Sequence, residues 1–326
     1  MTVKADWQTC VAPMIDVTDR HCRFFHRQLA PNTRLYTEMI TANALLYGPR
    51  ERLLAFHPQE HPVALQLGGS EPQALAQAAK LGAQWGYDEI NLNCGCPSDR
   101  VQRGAFGACL MAHPQLVAEC IKAMQDAVTI PVTVKHRLGL DYNDDYSFVR
   151  DFVGTLVEAG VTVFIVHARN AVLEGLSPKD NRTIPPLRYD QAALLKRDFP
   201  EATIVLNGGL TTAQEAYGQL ETFDGVMLGR AAWHTPAVLS QLHQLCYPAL
   251  ALPSAQEVIE HMVTYAHEEI RQGAALRHIV KPMMGWAAGK VGARHWRRTL
   301  SDPHQLADNN PEKIRQWWHA LALRQA

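Results

Sequence analysis

The amino-acid sequence predicts a (β/α)8 barrel followed by a small all-helical domain. Short β-like runs recur at fairly regular intervals in the first part of the chain, and helical stretches separate many of them. Buried strands that alternate with helices form a parallel sheet. Eight such units in about 240 residues fit a closed barrel better than an open sheet. From residue 256 onward no further β-like run is visible.

The eight predicted strands are TCVAPM (9–14), RLYTEM (34–39), PVALQL (62–67), EINLN (89–93), PVTVKH (131–136), TVFIVH (162–167), TIVLNG (203–208) and DGVMLG (224–229). Helices are predicted between them at 71–86, 114–127, 144–160 and 211–220. Several of these helices end at a Gly just before the next strand, which is typical of a helix C-terminus.

The chain is expected to divide into a barrel domain, 1–244, and a helical domain, 245–326. PALALPSA (248–255) has the Pro-flanked composition of a linker. The segments VIEHMVTYAHEEIRQG and PEKIRQWWHALALRQA beyond it have helical patterns.

Composition indicates a globular protein of a reducing compartment. Of the 326 residues, 47% are hydrophobic and 19% charged, which is ordinary for soluble domains. The cysteine count is 7, odd and without the spacing of a disulfide framework. Neither a signal peptide nor a membrane span is visible. We therefore expect a cytoplasmic protein without membrane association. The net charge of −1 means that any affinity for a polyanion must come from a local patch.

Polar and reactive side chains follow the predicted strands at their carboxyl ends, where barrels of this type carry their active sites. Asn207, Gly208 and Gly209 follow strand seven, and Gly229 and Arg230 follow strand eight. Glycines let backbone N–H groups approach an anion, and a following helix N-terminus favours negative charge. These loops predict a phosphate cradle, although the glycines would also suit tight turns alone.

Three further polar side chains are candidate ligand contacts. Lys135 ends an otherwise apolar strand, so it either stabilises a ligand anion or pairs with a neighbouring carboxylate. His167 is either a donor to a phosphate or cofactor ring, or a core histidine bonded to the backbone. Gln66 offers both a donor and an acceptor, as ring recognition requires.

Two cysteines, in the stretch NLNCGCPSDRVQRGAFGAC, stand at the end of strand four. A free thiol is mostly protonated near neutral pH, so it can act as a general acid as well as a nucleophile. Cys96 lies past the strand end, and we interpret it as the reactive thiol. Cys94 is nearer the strand and is expected to be packed. A structural pair is the alternative. No metal site is predicted, because further Cys or His ligands at suitable spacing are missing.

The segment 271–300 contains 7 Lys or Arg and no Asp or Glu. Trp286 and Trp296 lie within it. Such a patch suits a phosphate backbone, and exposed aromatic rings can stack on bases. The alternative is a solvated basic helix face whose tryptophans form the core of the helical domain. The charge alone favours nucleic-acid binding.

Seven stretches of the sequence carry a family resemblance: VAPMIDVTDRHCRFF, LQLGGSEP, EINLNCGCPSDRVQRGAFGACLM, VTVKHRLG, VHARNA, LNGGL and VMLGRAAW. Together they resemble the tRNA-dihydrouridine synthases over most of 10–235. GLSPKDNRTIPPLRYD (175–190) resembles the A subfamily in particular. The resemblance implies an FMN-bound barrel with a helical tRNA-binding domain. It also implies NADPH-dependent reduction of the C5–C6 bond of uridine in the D loop of tRNA, at positions 20 and 20a for this subfamily.

The resemblance assigns roles to individual residues. Cys96 would be the proton donor, with Cys94 at a variable position. The residues matching flavin and phosphate contacts are Ala12, Pro13, Met14, Gln66, Lys135, His167, Asn207, Gly208, Gly209, Gly229 and Arg230. The residues expected to contact tRNA, by motif position or by their place in the basic tail, are Asn93, Lys179, Arg182, Lys281, Arg294, Arg297 and Arg298. No obligate protein partner is expected.

Other interpretations remain open at this point. A flavin barrel acting on a small molecule, of the dihydroorotate or ene-reductase type, would share the phosphate loops but would leave the basic tail without a purpose. A non-catalytic RNA-binding protein would not need Cys96, Lys135 and His167. A flavin-free barrel binding a phosphate sugar would need the cradle alone.

Overall fold

The computed structural model describes residues 6–98, 104–143 and 145–324. Residues 99–103, which follow the cysteine pair, and Asp144 in the predicted third helix lie outside this part. The described strands are β1 Thr9–Val11, β2 Leu35–Tyr36, β3 Ile40–Thr41, β4 Val63–Gly68, β5 Glu89–Cys94, β6 Val132–Arg137, β7 Val163–His167, β8 Thr203–Asn207 and β9 Gly225–Leu228.

The strands form one parallel sheet that closes on itself. The order is β1-β9-β8-β7-β6-β5-β4-β2, and β3 also pairs with β4. A parallel bridge between Cys10 and Arg34 joins β1 to β2. Around this bridge, Val11 N donates to Arg34 O and Arg34 N donates to Thr9 O, each at 2.9 Å. This bridge completes the predicted barrel.

The predicted strand at 34–39 is shorter than the sequence suggests: only β2 lies within it, and β3 begins one residue beyond its end. The Thr37 hydroxyl accepts a hydrogen bond from Gln66 N at 3.0 Å and donates to Glu38 O at 2.7 Å. The Thr37 side chain therefore takes the hydrogen bond from the backbone N–H of Gln66 in β4. A continuing strand would accept this bond with a backbone carbonyl. Glu38 turns away, and its carboxylate accepts from Asp16 N.

Helices cover the outside of the barrel and make up the C-terminal part of the chain. Their bounds are α1 Arg20–Leu29, α2 Ala42–Tyr47, α3 Arg50–Leu54, α4 Pro72–Trp85, α5 Pro114–Ala127, α6 Tyr146–Glu158, α7 Tyr189–Asp198, α8 Ala213–Gly218, α9 Arg230–His234, α10 Ala237–Cys246, α11 Ala255–Arg271, α12 Leu276–Val280, α13 Ala293–Ser301, α14 Pro303–Leu306 and α15 Glu312–Ala322. All four helices predicted between strands are present. Gly86 and Gly160, which follow two of them, have φ of +105° and +91°, as a helix-terminating glycine does.

Helix α1 joins the barrel to the C-terminal helices. Phe24 stacks on Tyr265 of α11 with ring centroids 3.8 Å apart. Arg20 pairs with Glu269 at 2.5 Å, and His21 Nδ1 lies 2.8 Å from the Tyr265 hydroxyl. One apolar core runs from the barrel helices into α11–α15. The domain boundary at 244/245 stays a prediction; helix α10 crosses it.

Candidate functional site

The strand register brings the predicted polar residues together at the carboxyl rim of the barrel. Asn93 pairs with Lys135, Arg137 pairs with His167, and His167 pairs with Asn207. Because parallel strands end at one edge, these side chains surround a single opening.

Lys135 has no carboxylate partner among the described residues. Its Nζ donates to Asn207 Oδ1 at 2.9 Å, and the Asn207 amide in turn donates to Met227 O at 2.8 Å. Burial and the nearby Arg137 guanidinium lower the pKa of Lys135 to about 7. The lysine thus has a neutral partner and a destabilised charge, an arrangement that a bound anion would relieve.

Three arginines and Lys135 add positive charge around His167. The pKa of His167 lies well below its usual range, mainly because the ring is buried. The positive charges of Arg137, Lys135, Arg169 and Arg230 lower it further. The bonded partners of these arginines are backbone carbonyls. Arg137 donates to Gly95 O, Asn170 O and Asn181 O, Arg169 to Thr183 O and Pro185 O, and Arg230 to Arg182 O. Within the described ranges no carboxylate neutralises them, so the opening suits an anion.

Two glycines bring the loop after β8 close to His167. Gly208 and Gly209 have φ of +109° and +74°, a region that favours glycine. A Cβ on Gly208 would lie 2.6 Å from Cδ2 of His167. The Tyr189 hydroxyl donates to Gly208 O at 2.6 Å and fixes the loop. These positions require glycine, beyond any general need for a turn.

The helix N-termini expected behind the two glycine loops differ from each other. Helix α8 begins with a complete capping box, in which Thr212 caps Glu215 N and the Glu215 carboxylate accepts from Thr211 and Thr212. A carboxylate therefore offsets part of the field at this terminus, and the contribution of this helix to a phosphate site stays a prediction. Helix α9 has Gly229 at its N-cap and no side-chain cap.

The segment Ala12–Met14 crosses the rim directly after β1. Ala12 N donates to Leu228 O at 2.8 Å, which ties the segment to β9. Met14 N donates to the Thr18 hydroxyl at 2.9 Å, which turns the chain toward α1. Pro13 and Met14 remain partly exposed.

The Cys96 thiol lies on a turn held by Asn93. Oδ1 of Asn93 accepts from Gly95 N at 3.1 Å and from Cys96 N at 2.9 Å. The Cys96 thiol is partly exposed and lies 3.5 Å from the Ser98 hydroxyl. Cys94 is fully buried, and burial raises the pKa of its thiol. The expected division between a packed and an accessible cysteine is confirmed.

Lys179 and Arg182 are exposed on the loop after β7. Asn181, between them, is fully buried and bonds Val172 through both its amide N–H and its carbonyl oxygen, each at 2.8 Å. Arg137 donates to Asn181 O at 2.9 Å. This bond ties the loop to the rim beside Cys96.

The basic tail presents part of its charge to solvent. Arg294, Arg297 and Arg298 of α13 are exposed and have no acidic partner among the described residues. Lys281 differs, because its Nζ donates to Asp16 O at 3.0 Å and lies 5.6 Å from the Trp233 ring centroid. It contacts the loop between β1 and α1.

The tryptophans of the tail belong to its core. Trp286 stacks on Trp318 with ring centroids 4.7 Å apart. Trp296 is 1% exposed, and its Nε1 donates to Met283 O at 2.8 Å. The expectation that these rings stack on bases is wrong, since they are packed between helices.

Sequence reasoning missed several residues that organise the opening. These are Glu89, Asn91, Thr133, Arg137, Arg169, Asn181 and Tyr189. Polar residues alternate along EINLN at Glu89, Asn91 and Asn93, and that period of two was the available signal. In the described part of the chain, no group of three or more His, Cys, Asp or Glu could hold a metal.

The profile of the family described as dihydrouridine synthase (Dus) matches residues 10–320. The chain belongs to this family. The "tRNA-dihydrouridine(20/20a) synthase" of Synechocystis sp. is 54% identical over 93% of this chain and 91% of its own length. The protein of the same name from Pseudomonas putida is 55% identical over 91% and 89%, and that from Yersinia pestis is 54% identical over 90% and 85%.

Among solved structures, the fold of this dihydrouridine synthase family member resembles morphinone reductase in complex with tetrahydroNAD. The TM-score is 0.51 at 14% identity, covering 77% of this chain and 90% of the other. That likeness supports the barrel fold. No helix in the described ranges combines the length and apolar character that a membrane crossing requires.

Proposed function

We propose that this protein reduces uridine to 5,6-dihydrouridine at positions 20 and 20a in the D loop of tRNA, with FMN as cofactor and NADPH as reductant. Its family and the shared name of its relatives support the reaction and the positions. The observation that carries the proposal is the juxtaposition, at the barrel opening, of an accessible thiol on a fixed turn and a cationic cradle that no carboxylate of the described residues neutralises.

The residues at the opening fit a flavin with a phosphate tail. The glycine loop at Gly208 and Gly209, together with Arg230 at the uncapped start of α9, suits the phosphate. Lys135, whose side-chain partner is the neutral Asn207 amide, suits an electron-rich ring. Ala12–Met14 would line the site from the side of β1. When bound and reduced, the flavin supplies the hydride.

The Cys96 thiol would hold the proton that C5 of the uracil ring receives. The hydrogen bonds that Asn93 accepts from the peptide N–H groups of Gly95 and Cys96 set the position of the thiol. The thiol is therefore oriented before the uracil base binds. Lys135 would stabilise negative charge on the ring it faces. Asn93 keeps one N–H that can donate to a ring acceptor at the mouth.

The tRNA would be held by cations outside the opening. Arg294, Arg297 and Arg298 form an exposed basic face on α13, and Lys179 and Arg182 lie on the loop beside the rim. A uridine in a folded loop must leave its stack to enter the opening. Cationic contacts to phosphates supply affinity for the RNA without reading its sequence.

The decisive experiment is mass-spectrometric mapping of dihydrouridine in a tRNA that lacks the modification, after incubation with protein, FMN and NADPH. Product at uridine 20 or 20a supports the proposal. Product at another position would keep the reaction and refute the site. A yellow protein that oxidises NADPH without modifying tRNA would indicate a flavoenzyme acting on a small molecule.

A further inference from the structure

A chain of side-chain hydrogen bonds runs through the barrel interior from the Cys96 turn to a buried carboxylate. The successive bonds are Cys96 N to Asn93 Oδ1 (2.9 Å), Asn93 Nδ2 to Gln66 Oε1 (2.9 Å), Gln66 Nε2 to Asn91 Oδ1 (2.8 Å), Asn91 Nδ2 to Thr133 Oγ1 (2.8 Å) and Thr133 Oγ1 to Glu89 Oε1. The side chains below Asn93 are at most 1% exposed, so water does not substitute for these partners.

The direction of every bond in the chain is fixed by its two ends. At the top, the peptide N–H groups of Gly95 and Cys96 can only donate, so the Asn93 atom that faces them is its oxygen. At the bottom, the ionised carboxylate of Glu89 can only accept, so the single hydroxyl proton of Thr133 points to it. Each amide between them then has one allowed orientation, and bonds aligned in this way strengthen one another.

The side chains around Glu89 make it an acceptor of hydrogen bonds. Its Oε1 also accepts from the Tyr36 hydroxyl at 2.9 Å, and its Oε2 accepts from Trp7 Nε1 at 2.8 Å. Arg34 Nη1 lies 3.2 Å from Oε2. Three hydrogen-bond donors and one guanidinium therefore face this fully buried carboxylate, so its oxygens act as acceptors. Of the three donors, the Thr133 hydroxyl continues the chain toward Cys96.

We propose that Glu89 is a positioning residue of the active site. Through Thr133, Asn91 and Gln66 it fixes the amide orientation of Asn93, and with it the turn that holds the Cys96 thiol. This inference rests on the proposed function for its effect on turnover. Without the carboxylate, only the peptide N–H groups of Gly95 and Cys96 still oppose a reversed chain, in which Asn93 would face them with its own N–H and release the turn.

Thr133 and Tyr36 offer a matched pair of variants for the test. Thr133→Val and Tyr36→Phe each remove one hydroxyl from the same Glu89 oxygen, but Thr133 alone lies on the chain to Cys96. Thr133→Ser restores the hydroxyl without the methyl group. Glu89→Gln replaces the acceptor-only group by an amide of the same shape. Thermal unfolding records the stability cost of each change.

Two readouts separate positioning from general destabilisation. The first is the rate at which iodoacetamide alkylates the Cys96 thiol, followed by mass spectrometry of its peptide. The second is kcat and KM for tRNA, measured with FMN content known. For Thr133→Val and Glu89→Gln we expect faster alkylation and a kcat lower by roughly tenfold or more, with KM nearly unchanged. We expect Thr133→Ser to recover most of the kcat.

Equal losses in Thr133→Val and Tyr36→Phe would overturn the proposal, as would unchanged alkylation in Thr133→Val. The Thr133→Val and Tyr36→Phe pair decides the question even if Glu89→Gln does not fold. Alkylation does not depend on the reaction. A wild-type protein that makes no dihydrouridine would therefore refute the proposed function while the alkylation comparison still tests the chain.

Discussion

Nζ of Lys135 on β6 lies 2.9 Å from Oδ1 of Asn207 on β8, across the mouth of the barrel. The contact spans β7, the strand between them in the sheet. A lysine whose bonded side-chain partner is a neutral amide gains charge stabilisation when an anion arrives. The pKa of Lys135, lowered to about 7 by burial and Arg137, makes that gain measurable.

Binding of FMN should take up a proton. At pH 8 most of the free protein carries a neutral Lys135 amine, whereas an adjacent anion favours the ammonium and raises the pKa. The affinity for FMN should therefore fall as pH rises above 7. Calorimetry at pH 8 in two buffers of different ionisation enthalpy measures the uptake. Lys135→Met should abolish it, and uptake that persists in this variant would assign the proton to another group.

Cys96→Ala should lose nearly all turnover while retaining FMN and tRNA binding, because the variant removes the thiol that would supply the proton and leaves the backbone bonds of the turn in place. Cys94→Ala should retain activity and lose on the order of 1 kcal/mol of stability, since it leaves a small void in a closed core. Single-turnover dihydrouridine formation and thermal unfolding provide the two measurements. Near-normal turnover in Cys96→Ala would refute the proton-donor role.

Gly208→Ala should weaken FMN binding, because a Cβ there would lie 2.6 Å from the His167 ring at φ +109°. Gly218→Ala is the matched control. Gly218 has φ −60°, and a Cβ added to it would point into open space, with no neighbour within 4 Å. Alanine should therefore stabilise the helix by up to about 1 kcal/mol. Flavin fluorescence titration measures the first effect. Equal FMN affinity in both variants would argue against the cradle.

Neutralising Arg294, Arg297 or Arg298 to Gln should weaken tRNA binding and lower the slope of log K against log salt by about 0.7 to 1 per lost phosphate contact. Arg150→Gln is the control, because Arg150 is exposed on α6 and pairs with Asp151 at 2.8 Å. Filter binding over a range of salt concentrations gives the slopes. Identical slopes in all variants would place the RNA on another surface.

Most strands of the barrel were predictable because they are largely apolar runs bounded by turn residues. The early end of the second strand was not predictable, since it depends on the Thr37 hydroxyl meeting a backbone N–H of a different strand. The accessible position of Cys96 was predictable for a local reason: it lies beyond the end of β5, whereas Cys94 is still within it.

Two errors in the sequence interpretation have a common cause. The tryptophans of the tail were given a binding role because the surrounding charge is visible in the sequence, while the packing partner of Trp286, Trp318, is distant along the chain. Glu89 and Asn91 were overlooked in a run taken as apolar. Their importance arises from Thr133 and Gln66, which the closed barrel brings beside them.

Helix α1 has a further consequence for the choice of nucleotide. Through its contacts with Tyr265 and Glu269 it fixes the C-terminal helices against the barrel. The distance from the arginines of α13 to the thiol of Cys96 is then fixed, and under the proposed function it would set which nucleotide reaches the thiol. Which uridine reaches the thiol would follow from where the RNA binds the arginines. Two adjacent nucleotides could then both react if their loop shifts by one nucleotide.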